Sequence, residues 1–286
     1  MDTSYEPFSR EPEYIELNRD FIRSLGLSGR VRLLDLACGT GTLTGLVLGV
    51  PGCDTDAIGL DLNRRSLMLA KQDLGLDPAA PGAAPRVALV EASADRLPVA
   101  TGWADVVLIG NAIHCLPDLG RFFDEVRRAL RPGGRFAFNS SFYAGTFVPG
   151  TERFYDEWLK ESVRYLRGRE AEARKSGDAS FRRVRGTMKP AGSRRWHSPD
   201  EFRALLEARG FTITAVNQRT VMMTQHSFET VGAFDGLAAV LLSGYPVDAA
   251  CEALTRSVGP GLRAVGMEQV PRYWLEMAAA RGGEAA

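Results

Sequence analysis

The chain has 286 residues, 45% of them hydrophobic, and its 35 basic and 35 acidic residues leave a formal net charge of zero. That length suits one large α/β domain with insertions, or one domain and a small cap, and leaves two full-sized domains cramped. Balanced charge and ordinary aromatic content exclude a bulk attraction to nucleic acid or to a membrane surface, so the expected partner is a small molecule. Cys38, Cys53, Cys115 and Cys251 are scattered without a C-x-x-C pair, so neither a metal site nor a disulfide framework is expected, and a reducing compartment fits. The segment Met1-Asp-Thr-Ser-Tyr-Glu-Pro7 is not a leader pattern, and no apolar stretch reaches membrane-spanning length. The expectation is a soluble cytoplasmic protein, with its oligomeric state left open.

In chain order, Tyr14, Leu17, Phe21 and Leu25 recur at three- to four-residue spacing and predict a helix over 13–25 that can close over a ligand. Val31, Leu33, Leu34 and Leu36 form the near-continuous apolar run of a parallel strand covered on both faces. Asp35 brings a carboxylate to the end of that strand, Gly39 and Gly41 make a tight turn, and a helix follows over 43–50. Further strands are predicted at 57–60, 87–90, 104–109 and 135–139, separated by helices or helix-length loops in the rhythm of a parallel sheet. Residues 78–85 read as a loop. Ser198-Pro-Asp-Glu201 is a capping box with proline at the first helical position; its helix ends at Arg209-Gly210, and a strand over 211–216 comes next. The last strand candidate is Arg272-Tyr-Trp-Leu-Glu-Met-Ala278, close to the C-terminus.

A strand, glycine turn and helix predict a nucleotide site, but the dinucleotide fingerprint fails because the third glycine, Gly45, comes one residue late. Asp61 lies 20 residues beyond Gly41, the distance at which an acid ending the second strand reaches ribose hydroxyls; the alternative is a helix cap ahead of the helix starting at Arg64. Asp35-x-x-Cys-Gly-Thr-Gly41, Ile58-Gly-Leu-Asp61, Ala94-Asp-Arg-Leu-Pro98, Asn111-Ala-Ile-His-Cys-Leu-Pro117 and Leu130-Arg-Pro-Gly-Gly-Arg135 follow one another in this order. Over roughly residues 10–141 the chain therefore resembles class I S-adenosylmethionine (SAM)-dependent methyltransferases, most closely the ubiquinone/menaquinone-type and small-molecule "type 11" branch.

The resemblance implies an α/β Rossmann-like sheet of seven strands, mostly parallel with the last antiparallel, and SAM as cofactor. It implies cofactor contacts at Tyr14, Asp35, Ala37, Gly39, Gly41, Asp61, Leu62, Ser93, Ala94 and Asn111, with Asp61 on the ribose. Two positions depart from the family pattern: Ala37 replaces a common glycine, and Ser93 stands where relatives carry the aspartate that accepts from the adenine amino group. A serine hydroxyl accepts that bond without charge.

The expected division is a SAM-binding core over 1–141, a basic helical lid over 142–196, and the rest of the core over 197–286 with an apolar helical insertion at 218–268. Between Arg164 and Arg195 stand eleven basic residues against three acidic ones, interleaved and flanked by aromatic residues. Such a lid suits an anionic head on an apolar body, as in prenyl diphosphates, carboxylated polyketides or carrier-bound acyl chains. The alternative is a solvated basic helix with Tyr155, Leu159, Val163 and Leu166 packed on the sheet.

Methyl transfer is an in-line displacement, and well-oriented reactants gain about 7 to 11 kcal/mol from positioning alone. A base near neutral pKa helps a hydroxyl or activated-carbon acceptor, and only His114, His197 and His226 are present. His114, after the fourth strand, is the first candidate, in positioning or in proton transfer. If the acceptor were an alkene, a lid carboxylate such as Glu170 could remove the carbocation's proton. Two other readings remain: a SAM-fold protein that catalyses a cyclisation, and an RNA or protein methyltransferase, against which Asn111-Ala-Ile-His114 lacks an Asn-Pro-Pro-Tyr-type tetrad.

Overall fold

The computed structural model describes residues 6–76, 86–177, 181, 183 and 195–283. Its elements run α1 (Glu6–Ser9), α2 (Pro12–Ser24), β1 (Gly29–Leu36), α3 (Thr42–Leu48), β2 (Cys53–Asp61), α4 (Arg64–Asp73), β3 (Val87–Glu91), β4 (Ala104–Gly110), α5 (Leu119–Ala129) and β5 (Leu130–Ser140). After these come α6 (Glu152–Ser176), α7 (Pro199–Glu207), β6 (Phe211–Thr224), α8 (Gln225–Gly232), α9 (Asp235–Leu241), α10 (Val247–Val265) and β7 (Gln269–Arg281). The loop at 78–85 lies outside the described residues.

The seven strands form one sheet in the order β3-β2-β1-β4-β5-β7-β6. β1 lies parallel to both β2 and β4, β2 to β3 and β4 to β5, while β7 runs antiparallel to β5 with Asn139 opposite Glu276. This is the expected seven-stranded architecture. The order reverses between β1 and β4, the switch point at whose carboxyl ends open α/β sheets bind ligands. Leu33, Leu34 and Leu36 in β1 and Val107, Leu108 and Ile109 in β4 are fully buried, as expected for strands covered on both faces.

The chain divides into two compact units. One holds α2 to α5 with β1 to β5, then Trp196–Arg219 and the last strand from Trp274 onward. The other holds α1 with Glu11, α6, and Thr220–Tyr273 with α8 to α10. β6 extends to Thr224, where a capping box formed by Thr224 and Ser227 starts α8, so the apolar helices begin later than the expected position 218. β-branched Thr214, Val216, Thr220, Val221 and Thr224 favour this longer strand.

In the second unit α6 presents Phe154, Trp158, Ser162 and Leu166 to α10 and α8, and Phe154, Trp158 and Phe228 form an aromatic cluster with centroids 4.7 to 6.0 Å apart. The buried stripe is one residue out of step with the expected 155/159/163 face, and its partners are helices rather than the sheet. Leu159 is 37% exposed. Trp158 Nε1 donates to the Leu254 carbonyl at 2.8 Å, which satisfies the one polar atom of that ring.

Gly261 permits this close helix pairing, since a Cβ there would stand 3.2 Å from Trp158 Cα. Gly261→Val therefore forces α10 away from α6 and costs about 1–3 kcal/mol of stability, to be read from a lowered denaturation midpoint. An unchanged midpoint would contradict the packing described.

Candidate functional site

β1 delivers Asp35, fully buried at the switch point. Its Oδ2 accepts from the Thr44 amide at 3.1 Å and from Thr44 Oγ1 at 2.6 Å, while Oδ1 is buried and meets no donor among the described residues. Burial pushes the Asp35 carboxyl up to about 7; the two Thr44 bonds oppose this shift and the charge of Asp61 adds to it.

The turn after β1 is built from left-handed residues: Ala37 at φ 50°, Gly39 at 55° and Gly41 at 80°. Ala37 carries a methyl group in a conformation that disfavours any Cβ. Gly41 is the N-cap of α3, and a Cβ there would lie 3.0 Å from Leu74 Cδ1, so this position needs glycine for conformation and for space. The Cys38 amide donates to the Leu60 carbonyl at 2.9 Å, and the Gly39 amide donates to Asp61 Oδ2 at 2.8 Å. The glycine turn is thus fastened to the end of β2.

Asp61 Oδ1 accepts from the Asn63 amide at 2.8 Å, and the Asn63 side chain in turn caps α4 by accepting from the Arg65 and Ser66 amides. The capping role therefore belongs to Asn63. Each Asp61 oxygen receives one backbone N–H and keeps a lone pair for a further donor. Beside it Leu62 is 71% exposed, an apolar side chain at the end of a sheet strand with most of its surface uncovered.

Ala94 is buried, and the Ser93 hydroxyl bonds the Asp95 carboxylate, holding it below the usual range. The hydroxyl standing in for an aspartate is thus already engaged by a neighbouring acid. Asn111, after β4, is buried with φ 47°. Its amide donates to the carbonyl and to Oδ1 of Asn139, both at 3.0 Å, and its own Oδ1 accepts from the Ser141 amide at 2.9 Å. Tyr14 on α2 is 6% exposed and meets Trp274 edge-on at 5.8 Å; its hydroxyl lies 3.9 Å from where a Cβ on Gly110 would stand. The end of β4 and α2 therefore meet at one place.

His114 sits in a 3-10 turn over Ile113–Cys115, with its ring 4.3 Å from Phe142, which meets Trp196 edge-on at 5.9 Å. His114 Nε2 is 3.4 Å from Cys115 Sγ. His197 lends its carbonyl to the Ala144 amide, and its ring packs at 5.6 Å from Phe202. His226 belongs to the other unit and contacts Glu11 at 3.1 Å.

Glu170 also lies in that other unit, on α6, paired with Arg174 at 2.8 Å, whereas every cofactor candidate lies in the unit built on β1 to β5. Along α6 seven basic residues face six acidic ones. Arg164 pairs with Glu161, and Arg169 and Arg256 both pair with Glu252. Counting from Arg164 overstated the charge of this helix, because the neutralising acids precede that residue or lie on α10. Arg182, Arg185, Lys189 and Arg194 lie outside the described residues. Asn18, Asn139 and Trp274 also belong to this neighbourhood and went unnoticed in the sequence, where isolated amides and a tryptophan in a strand carry no spacing signal.

Two stability effects follow. Ala37→Gly relieves the left-handed strain and raises stability by about 1 kcal/mol, measured by denaturant unfolding; a loss would contradict the conformation assigned. The folded state holds Asp35 protonated up to about 7 against an ordinary 3.8, so its ionisation penalises folding increasingly as pH rises between those values. Asp35→Asn therefore gains stability relative to wild type between pH 4 and pH 8, and parallel pH profiles would contradict this.

Residues 34–138 match the family model described as "Methyltransferase domain". Ubiquinone/menaquinone biosynthesis C-methyltransferase UbiE of Methylobacterium nodulans is 32% identical over 180 residues, 63% of this chain and 65% of that protein. Phthiotriol/phenolphthiotriol dimycocerosates methyltransferase 1 of Mycobacterium ulcerans is 36% identical over 128 residues, 42% of this chain and 43% of the relative. The chain thus spans less than two thirds of the length of these curated relatives. Among solved structures, the [4+2]-cyclase SpnF superposes with a TM-score of 0.54 at 17% identity, covering 94% of this chain and 82% of its own. The geranyl diphosphate C-methyltransferase of Streptomyces coelicolor gives 0.50 at 16% identity, covering 93% and 79%. At those identities the likeness establishes the fold alone: a seven-stranded sheet within which residues 34–138 match the methyltransferase-domain family model.

Proposed function

We propose that this chain, built on a class I methyltransferase domain, is a SAM-dependent methyltransferase that modifies a small metabolite with an apolar body. The single observation that carries the reading is Asp35 beside the Gly39–Asp61 turn. A buried carboxylate with one oxygen lacking a donor, next to a second carboxylate, suits a ligand bearing an ammonium group and ribose hydroxyls. A dinucleotide would instead bring its pyrophosphate against two acids. The residues present thus fit SAM.

When bound, SAM supplies an electrophilic methyl group. Asp35 faces the ammonium, Asp61 the ribose, Leu62 the adenine face, and Ser93 and Ala94 the adenine edge, while the left-handed turn at Ala37, Gly39 and Gly41 keeps backbone close to the ligand. Tyr14 closes the site from α2. His114, packed against Phe142, orients the acceptor and, for an acidic hydroxyl or ring carbon, takes its proton at Nε2. Glu170, engaged with Arg174, is assigned no part in the chemistry.

Support for an apolar acceptor comes from the names of the relatives, a ubiquinone/menaquinone-type C-methyltransferase and a phthiotriol dimycocerosates methyltransferase. An anionic head on that body is proposed from the basic residues at 182–195.

Incubation with methyl-labelled SAM and a host metabolite extract, followed by mass spectrometry, tests the reading. A labelled product heavier by one methylene unit is expected; an unlabelled isomer of equal mass would replace transfer by cyclisation. Because a bound ammonium favours ionised Asp35, SAM affinity should rise from pH 6 to pH 8 in the wild type and stay flat in Asp35→Asn. A flat wild-type profile would contradict the Asp35 contact.

A further inference from the structure

A chain of buried carboxamides runs from α2 to the ends of β4 and β5. Asn18 Nδ2 donates to the Tyr14 carbonyl at 2.7 Å, and Asn18 Oδ1 accepts from Asn139 Nδ2 at 2.8 Å. Asn139 Oδ1 accepts from the Asn111 amide at 3.0 Å, and Asn111 Oδ1 accepts from the Ser141 amide and hydroxyl at 2.9 and 3.2 Å. Asn18 and Asn139 are 0% exposed and Asn111 is 5% exposed.

Such groups are costly to bury, and an apolar pair would hold α2 on the sheet at lower desolvation cost. What carboxamides add is direction. Each presents a donor and an acceptor at fixed angles, so Asn139 fits only with its nitrogen toward Asn18 and its oxygen toward Asn111. The two ends of the chain are also the two sides of the reaction. Tyr14 lies on the donor side, packed against Trp274, and Asn111 opens the turn that carries His114 on the acceptor side. Asn111 is held at φ 47°, a conformation that costs about 1–3 kcal/mol and persists only where its surroundings impose it. The bonds from Asn111 to Asn139 and Ser141 do so.

We infer that Asn139 is a positioning residue that fixes Tyr14 and the Asn111–His114 turn in one register, so that cofactor closure and acceptor alignment are coupled. This rests on the methyltransferase reading. Asn139 touches neither reactant in this role; it acts through Asn18 and Asn111.

The test is a double-mutant cycle on S-adenosylhomocysteine (SAH) affinity, measured by calorimetry on the full chain with Asn139→Leu, Tyr14→Leu and both together. Each single change should weaken SAH about tenfold, and the double variant should be no weaker than the worse single by more than about threefold, because both act through the same contact. Independent, multiplying losses would mean that Asn139 merely stabilises the fold, and SAH affinity within about twofold of wild type in Asn139→Leu would also overturn the inference. If Asn139→Leu does not fold, Asn18→Leu takes its place in the cycle, since it cuts the same chain one bond earlier and leaves the Asn139–Asn111 bond intact. The same expected and contrary outcomes apply. A wild-type chain that fails to bind SAH would instead remove the methyltransferase reading itself, and the relay's role with it.

Discussion

The hydrogen bond from the Gly39 amide to the Asp61 carboxylate, 2.8 Å long, is the contact on which the rest of the site depends. It joins the turn after β1 to the end of β2, so two strands adjacent in the sheet present their carboxyl ends as one surface. An ionised acceptor makes such a bond shorter and stronger than a neutral one. With the turn fixed, Gly41 can cap α3 in a left-handed conformation, and Thr44 in the first turn of α3 reaches back to Asp35. Without it, the strain at Ala37 has less to hold it.

Much of this was legible in the sequence because it rests on local patterns. Apolar runs marked β1 and β4, the glycine spacing marked the turn, and the interval from Gly41 to Asp61 placed the second acid; the seven strands then formed one mostly parallel sheet, as expected. What stayed hidden depended on contacts distant in sequence. Asn139 and Asn18 are 121 residues apart, and nothing at either position announces the other. The long β6 was cut short because its polar residues masked a β-branched pattern. The basic count from Arg164 to Arg195 leaves out Glu152, Asp156, Glu157 and Glu161 earlier on α6, and Glu252, the partner of Arg169, which lies on a helix far downstream in sequence.

The unit on β1 to β5 gathers every cofactor candidate, with its carboxylates, its strained turn and its buried amides. The unit built by α6 and α8 to α10 is held by aromatic packing, by the Trp158–Leu254 bond and by pairs such as Arg169–Glu252. Its sequence matches no part of the methyltransferase-domain model, which ends at residue 138. Among the described residues no helix is long and apolar enough to cross a membrane.

The most direct measurement is calorimetric titration of SAM into the wild-type chain and into Asp61→Ala. The account predicts one site per chain in the wild type and an affinity lower by about tenfold or more in the variant, because the carboxylate holds Gly39 and, in the proposed reading, meets the ribose. Equal affinity in the two proteins would contradict it.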